Sequence, residues 1–86
     1  MPYFVYLLEC TDKSIYTGIT TDLKRRFAEH KNKKGARYTR THGAKKIIYS
    51  EKCPTRSAAL KREARIKRLP RREKLLLSHK KATLVT

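Results

Sequence analysis

Tyr6 and Tyr16 stand five residues either side of Thr11, so a hairpin turning symmetrically on Thr11 sets their phenols opposite one another on one sheet face. Two phenols then point to one spot, as the residues of a site would. The plainer alternative is a cross-strand aromatic pair, worth some tenths to about 1 kcal/mol of sheet stability. Gly18 favours the first, because it shares the strand face of Tyr16. A glycine inside a strand gives up packing, and does so where backbone or ligand must approach closely.

Arg26 and His30 lie four residues apart and share one helix face. A guanidinium grips phosphate oxygens in bidentate fashion, and an imidazole exchanges a proton near neutral pH. Glu63 falls between Ala59 and Leu60 on a helical wheel, within the expected apolar stripe. A carboxylate there needs a partner. Two are open at this stage: a salt bridge to Arg26 or Arg62, or a divalent cation. Mg²⁺ suits a single protein carboxylate, because it keeps much of its water and takes phosphate oxygens as ligands.

Charge points to a class of partner no less directly than the motifs. The chain carries 23 Lys and Arg against 7 Asp and Glu, a formal +16 in 86 residues. Self-repulsion on that scale is relieved by a polyanion, so nucleic acid is the expected partner. Lys33, Lys34, Arg37, Tyr38 and Arg40, with Lys61, Arg62 and Arg65, offer phosphate contacts and some stacking surface. Such contacts confer affinity rather than sequence readout. No apolar stretch approaches the roughly 20 residues of a spanning helix, so no membrane role is expected and the protein is placed in the cytoplasm. Cys10 and Cys53 have no metal-ligand spacing and read as reduced, buried thiols whose strand-end positions could bring them together. Neither a Gly-rich phosphate loop nor a hydrolase elbow is present.

The elements that must position these residues follow from periodicity. A chain this short buries roughly 60–65% of its extended surface, which allows one core. Tyr3 to Glu9 is continuously apolar apart from its end, as a central strand covered on both faces requires. Thr11, Asp12 and Lys13 form the turn, and Ser14 to Ile19 alternates as a second strand. A helix is expected from about Asp22 to Lys31, with Leu23, Phe27 and His30 at helical spacing. Lys31 to Lys46 holds seven Lys and Arg, no acid and two glycines, and reads as a basic loop. Ile47 to Tyr49 is a short third strand. Thr55 caps a helix reaching about Leu69, with Ala59, Leu60, Ala64 and Ile66 as its buried stripe. Pro70 then opens a last helix from Arg71 to about His79 carrying Leu75, Leu76 and Leu77. The result is an α+β fold, β-β-α-β-α-α, with a three-stranded antiparallel sheet flanked by helices over residues 1–79 and a tail over 80–86.

With these residues in place the chain resembles the GIY-YIG superfamily. Phe4-Val5-Tyr6 and Tyr16-Thr17-Gly18 stand for its two tripeptides, TDLKRRFAEH carries Arg26 and His30, and Glu63 lies in LKREARIKR. The first tripeptide keeps only its tyrosine. The resemblance implies hydrolysis of phosphodiester bonds with one metal ion. It makes Tyr6 the first choice for activating the attacking water and Tyr16 the second. Arg26 would steady negative charge at phosphorus, His30 would assist proton transfer, and Glu63 would be the protein ligand of Mg²⁺ or Mn²⁺. The expected function is therefore an endonuclease-like hydrolase acting on DNA, with RNA the competing substrate and a monomer the working assembly. A binding module without turnover and a ribosome- or RNA-associated protein are the alternatives.

Overall fold

The computed structural model describes residues 2–85, with side chains through His79. The chain runs β1 (Tyr3–Cys10), β2 (Ile15–Thr20), α1 (Leu23–Lys31), α2 (Arg37–His42), β3 (Ala44–Cys53), α3 (Arg56–Lys67) and α4 (Arg71–Val85). The strands form one antiparallel sheet in the order β2-β1-β3, so the apolar β1 is central, as its sequence requires. Val5 and Leu7 enter a core with Ala59 and Ile66 of α3. Tyr6, Leu8 and Cys10 point the other way, where Leu23 and Phe27 of α1 cover them. Each fully buried Val, Leu or Ile contributes about 1.5–3 kcal/mol relative to exposure. Asp22 accepts from the Arg25 N–H at 3.0 Å and Thr55 from the Ala58 N–H at 3.1 Å, so both helix starts are capped.

The hairpin register differs from a turn centred on Thr11. Tyr6 pairs with Gly18 and Leu8 with Tyr16, which centres the turn on Asp12. The Cys10 N–H donates to the Ser14 carbonyl at 2.8 Å and the Lys13 N–H to the Cys10 carbonyl at 2.9 Å, with Lys13 at φ 71°. This is a three-residue turn whose last position is left-handed, normally a glycine position. The two-residue change in register preserves face parity, so Tyr6 and Tyr16 share a face as diagonal neighbours rather than opposites.

Other expectations are corrected. The basic loop contains α2, which ends at Gly43 with φ 78°. The third strand is ten residues long, and its register shifts against β1 at Leu7/Leu8 and Glu9/Cys10. On α3, Leu60 and Ala64 face solvent, leaving Ala59 and Ile66 as the buried positions. Leu77 packs into the core while Leu76 is exposed. The last helix passes its expected end near His79 and continues to Val85. The tail expected over 80–86 lies outside the described side chains. Tyr3 pairs with Cys53 and Cys10 with Ala44, so the two free, buried thiols sit at opposite ends of the β1–β3 ladder and are not brought together.

Candidate active site

The Tyr6 hydroxyl lies 2.7 Å from His30 Nε2, and both residues are only 1% exposed. β1 delivers the phenol and the last turn of α1 delivers the imidazole. The Tyr16 ring centroid is 6.2 Å from that of Tyr6 and 5.4 Å from that of His30, which closes an aromatic triangle. Gly18 makes room for it: a methyl there would stand 2.6 Å from the Tyr6 hydroxyl and 2.8 Å from the Tyr16 ring. The close approach expected at Gly18 is therefore made by the two phenols themselves.

The charges of Arg26 on α1 and Glu63 on α3 both act on the Tyr6 phenol. The Arg26 guanidinium donates through Nη1 to Glu29 at 2.8 Å, and its positive charge bears on the Tyr6 hydroxyl. Burial pushes the Tyr6 pKa up to about 12, Arg26 opposes the rise, and the nearby Tyr16 and Glu63 add to it. Burial, followed by the positive charge of Arg26, holds His30 below its ordinary value of 6.5, so the ring is neutral near pH 7. Glu63 is 17% exposed and meets Lys67 Nζ at 3.5 Å. The salt bridges considered for it are otherwise occupied, since Arg26 holds Glu29 and Arg62 holds Glu51 at 2.5 Å. Among the described residues no three His, Cys, Asp or Glu side chains gather as a metal cluster.

Two contributors were not singled out beforehand. Thr39 of α2 is fully buried, with Oγ1 2.6 Å from His30 Nδ1 and 2.9 Å from the Ala36 carbonyl. Gly35 forms a wall against the imidazole, where a methyl would lie 2.3 Å from Nδ1. Recognising Gly43 as a helix stop would have revealed α2 and its one buried position.

Lys33, Lys34, Arg37, Arg40, Lys61 and Arg65 are all exposed, whereas Arg62 is turned to Glu51. Tyr38 is 39% exposed and stacks on His42 with centroids 4.1 Å apart. On its other flank the Tyr16 centroid lies 5.8 Å away, so the aromatic triangle continues to the cationic surface. His42 pairs with Asp12, whose pKa is lowered chiefly by hydrogen bonds from Ser14 and His42, pinning the hairpin turn to the end of α2.

The small α+β domain thus brings two phenols and an imidazole together on one sheet face, with the charges of Arg26 and Glu63 acting on the Tyr6 phenol. Residues 2–76 match the GIY-YIG catalytic domain, and the chain belongs to that family. GIY-YIG domains act on nucleic acids. A UPF0213 protein of Cupriavidus necator is 53% identical over 72 residues, covering 84% of this chain and 78% of that protein. One from Oceanobacillus iheyensis is 47% identical over 75 residues, covering 87% of each. The solution NMR structure of a UPF0213 protein from Bacillus halodurans superposes with a TM-score of 0.56 at 43% identity, over 90% of this chain and 82% of that one. No helix among the described residues is long and apolar enough to cross a membrane.

Proposed function

We propose that this protein is an endonuclease that hydrolyses DNA phosphodiester bonds with the help of a divalent cation. The observation that carries this reading is the buried 2.7 Å contact between Tyr6 and His30, with the positive charge of Arg26 acting on the same phenol. A phenol with a pKa near 12 does not ionise alone at neutral pH. It can still relay: the attacking water gives its proton to Tyr6 Oη as Tyr6 passes its own to His30 Nε2. The new P–O bond forms from the water oxygen, and the leaving oxygen departs with the electrons of the broken P–O bond. Arg26 supplies positive charge against the phosphate oxygens as this occurs.

The donor set suits Mg²⁺ or Mn²⁺ better than zinc, because one shielded carboxylate, Glu63, is available rather than a cluster of nitrogen and sulfur ligands. When held by Glu63, the ion would neutralise charge on the phosphate. The exposed cations of α2 and α3 would bind the backbone on either side. A second reading, binding without turnover, is favoured by the +16 charge alone.

Nicking of supercoiled plasmid in Mg²⁺ or Mn²⁺ separates the two readings. Glu63→Gln should abolish metal-dependent nicking while leaving DNA affinity nearly intact, and Tyr6→Phe should slow it by roughly 10²- to 10⁴-fold. Equal nicking by Glu63→Gln and the parent, with contaminating nuclease excluded, removes Glu63 from the site. Tight, salt-sensitive binding with no nicking by the parent leaves only the binding module. Co-sedimentation with ribosomes would point instead to the RNA-associated alternative.

A further inference from the structure

We propose that Thr39 is a positioning residue that fixes His30 as its Nδ1–H tautomer, keeping the Nε2 lone pair turned toward Tyr6. The inference deepens the hydrolytic reading above and rests on it for its catalytic consequence.

The argument is a count of protons along a buried chain of hydrogen bonds. Tyr6, His30 and Thr39 are exposed by 1%, 1% and 0%, and in the resting structure their side-chain hydrogen bonds are made to protein groups. A neutral imidazole carries one N–H, and each hydroxyl carries one proton. Thr39 Oγ1 donates its proton to the Ala36 carbonyl at 2.9 Å, which also accepts the Arg40 N–H at 3.1 Å. The proton in the 2.6 Å link to His30 must then come from Nδ1. Nε2 is left bare and accepts the Tyr6 O–H at 2.7 Å. The reverse arrangement has Thr39 donating to Nδ1 and Nε2–H donating to Tyr6. It strands the Tyr6 proton, because among the described residues His30 Nε2 is the hydrogen-bond partner of that hydroxyl that could accept it. Every donor is satisfied in the first arrangement and one is left buried without a partner in the second.

Only the first arrangement lets His30 take a proton from Tyr6. An imidazole with its proton on Nε2 has no lone pair facing the phenol, and the relay stops. Thr39 therefore selects the working form of the base without touching substrate, as an orienting partner does for a histidine whose second nitrogen is in use. Gly35 supports the same geometry by letting the ring lie against the backbone at Nδ1.

Long-range ¹H–¹⁵N spectra of the imidazole report the tautomer directly. The parent protein should show His30 protonated at Nδ1 and bare at Nε2. Thr39→Val, which keeps shape and removes the hydroxyl, should move the population toward Nε2–H. It should also lower the nicking kcat roughly 10- to 100-fold with DNA affinity unchanged. Thr39→Ser should restore both. A parent that is mainly Nε2–H overturns the proposal, as does a Thr39→Val protein with unaltered tautomer and kcat. Should Thr39→Val fail to fold, the parent and Thr39→Ser spectra still decide. A parent that cleaves no DNA while its tautomer responds as stated removes the nuclease reading and leaves the Thr39 assignment standing.

Discussion

Gly18 faces Tyr6 directly across the β1–β2 ladder, and the Tyr6 hydroxyl occupies the space that a side chain at position 18 would need. Tyr6 has no room to yield, being 1% exposed and held by His30. Gly18→Ala should therefore push the phenol off its 2.7 Å contact and destabilise the fold by about 1–3 kcal/mol, the usual range for overpacking. Urea denaturation reads the stability and plasmid nicking reads the site. A stable Gly18→Ala protein with parental nicking would show that the phenol does not depend on this space.

His30 makes stability depend on pH in a stated direction. Its pKa is lowered in the folded protein, chiefly by burial and next by Arg26, so the unfolded chain binds the proton more readily. Stability from this group is full above its ordinary value of 6.5 and is lost as pH falls from there toward the lower folded value. Asp12, with its pKa depressed, contributes in the same direction but in a separate window, below the usual carboxylate range. Urea midpoints measured at pH 7.5 and 5.5 should therefore fall on acidification, and His30→Gln should flatten that fall. An equal pH response in parent and His30→Gln would exclude the imidazole as its source.

The face shared by Tyr6 and Tyr16 was readable because a strand has a period of two, and the true turn centre at Asp12 shifts their pairing by two. The register itself was not, since Lys13 occupies the left-handed position where a glycine would have announced the turn. Arg26 and His30 followed from helical spacing, but the burial of His30 did not. That burial depends on α2, a short helix with one buried residue, Thr39, inside a run of cations without apolar periodicity. The ends of β3 were hidden for a related reason, because its edge position tolerates exposed Lys45, Lys46 and Lys52. Glu63 drew notice through an apolar stripe that Leu60 and Ala64 do not in fact join.

Thr17 carries a hydroxyl that is buried, 3% exposed, and has no hydrogen-bond partner among the described residues. Its neighbours in β2, Ile15 and Ile19, pack into the core shared with α3, so the hydroxyl sits on the apolar side of the sheet. Removing an unsatisfied group while keeping its shape is favourable, and Thr17→Val should raise stability by about 1 kcal/mol. Nicking should be unchanged, because the phenols leave the opposite face. A fall in the urea midpoint would mean that the hydroxyl finds a partner in solution.

Arg37 and Arg62 should respond differently when DNA binding is followed against salt. Arg37 is exposed on α2, free to meet a phosphate, and each duplex phosphate contact adds about 0.9 to the slope of log K against log salt. Arg37→Ala should reduce that slope by about this amount without loss of stability. The Arg62 guanidinium is instead held by Glu51 at 2.5 Å, with side chains 36% and 27% exposed. Arg62→Ala should leave the slope unchanged and cost no more than about 1 kcal/mol in folding, the range for a partly exposed pair. Fluorescence anisotropy across a salt series distinguishes the two. A reduced slope for Arg62→Ala would show that this arginine leaves Glu51 for the backbone when DNA binds, placing α3 within the footprint at that point.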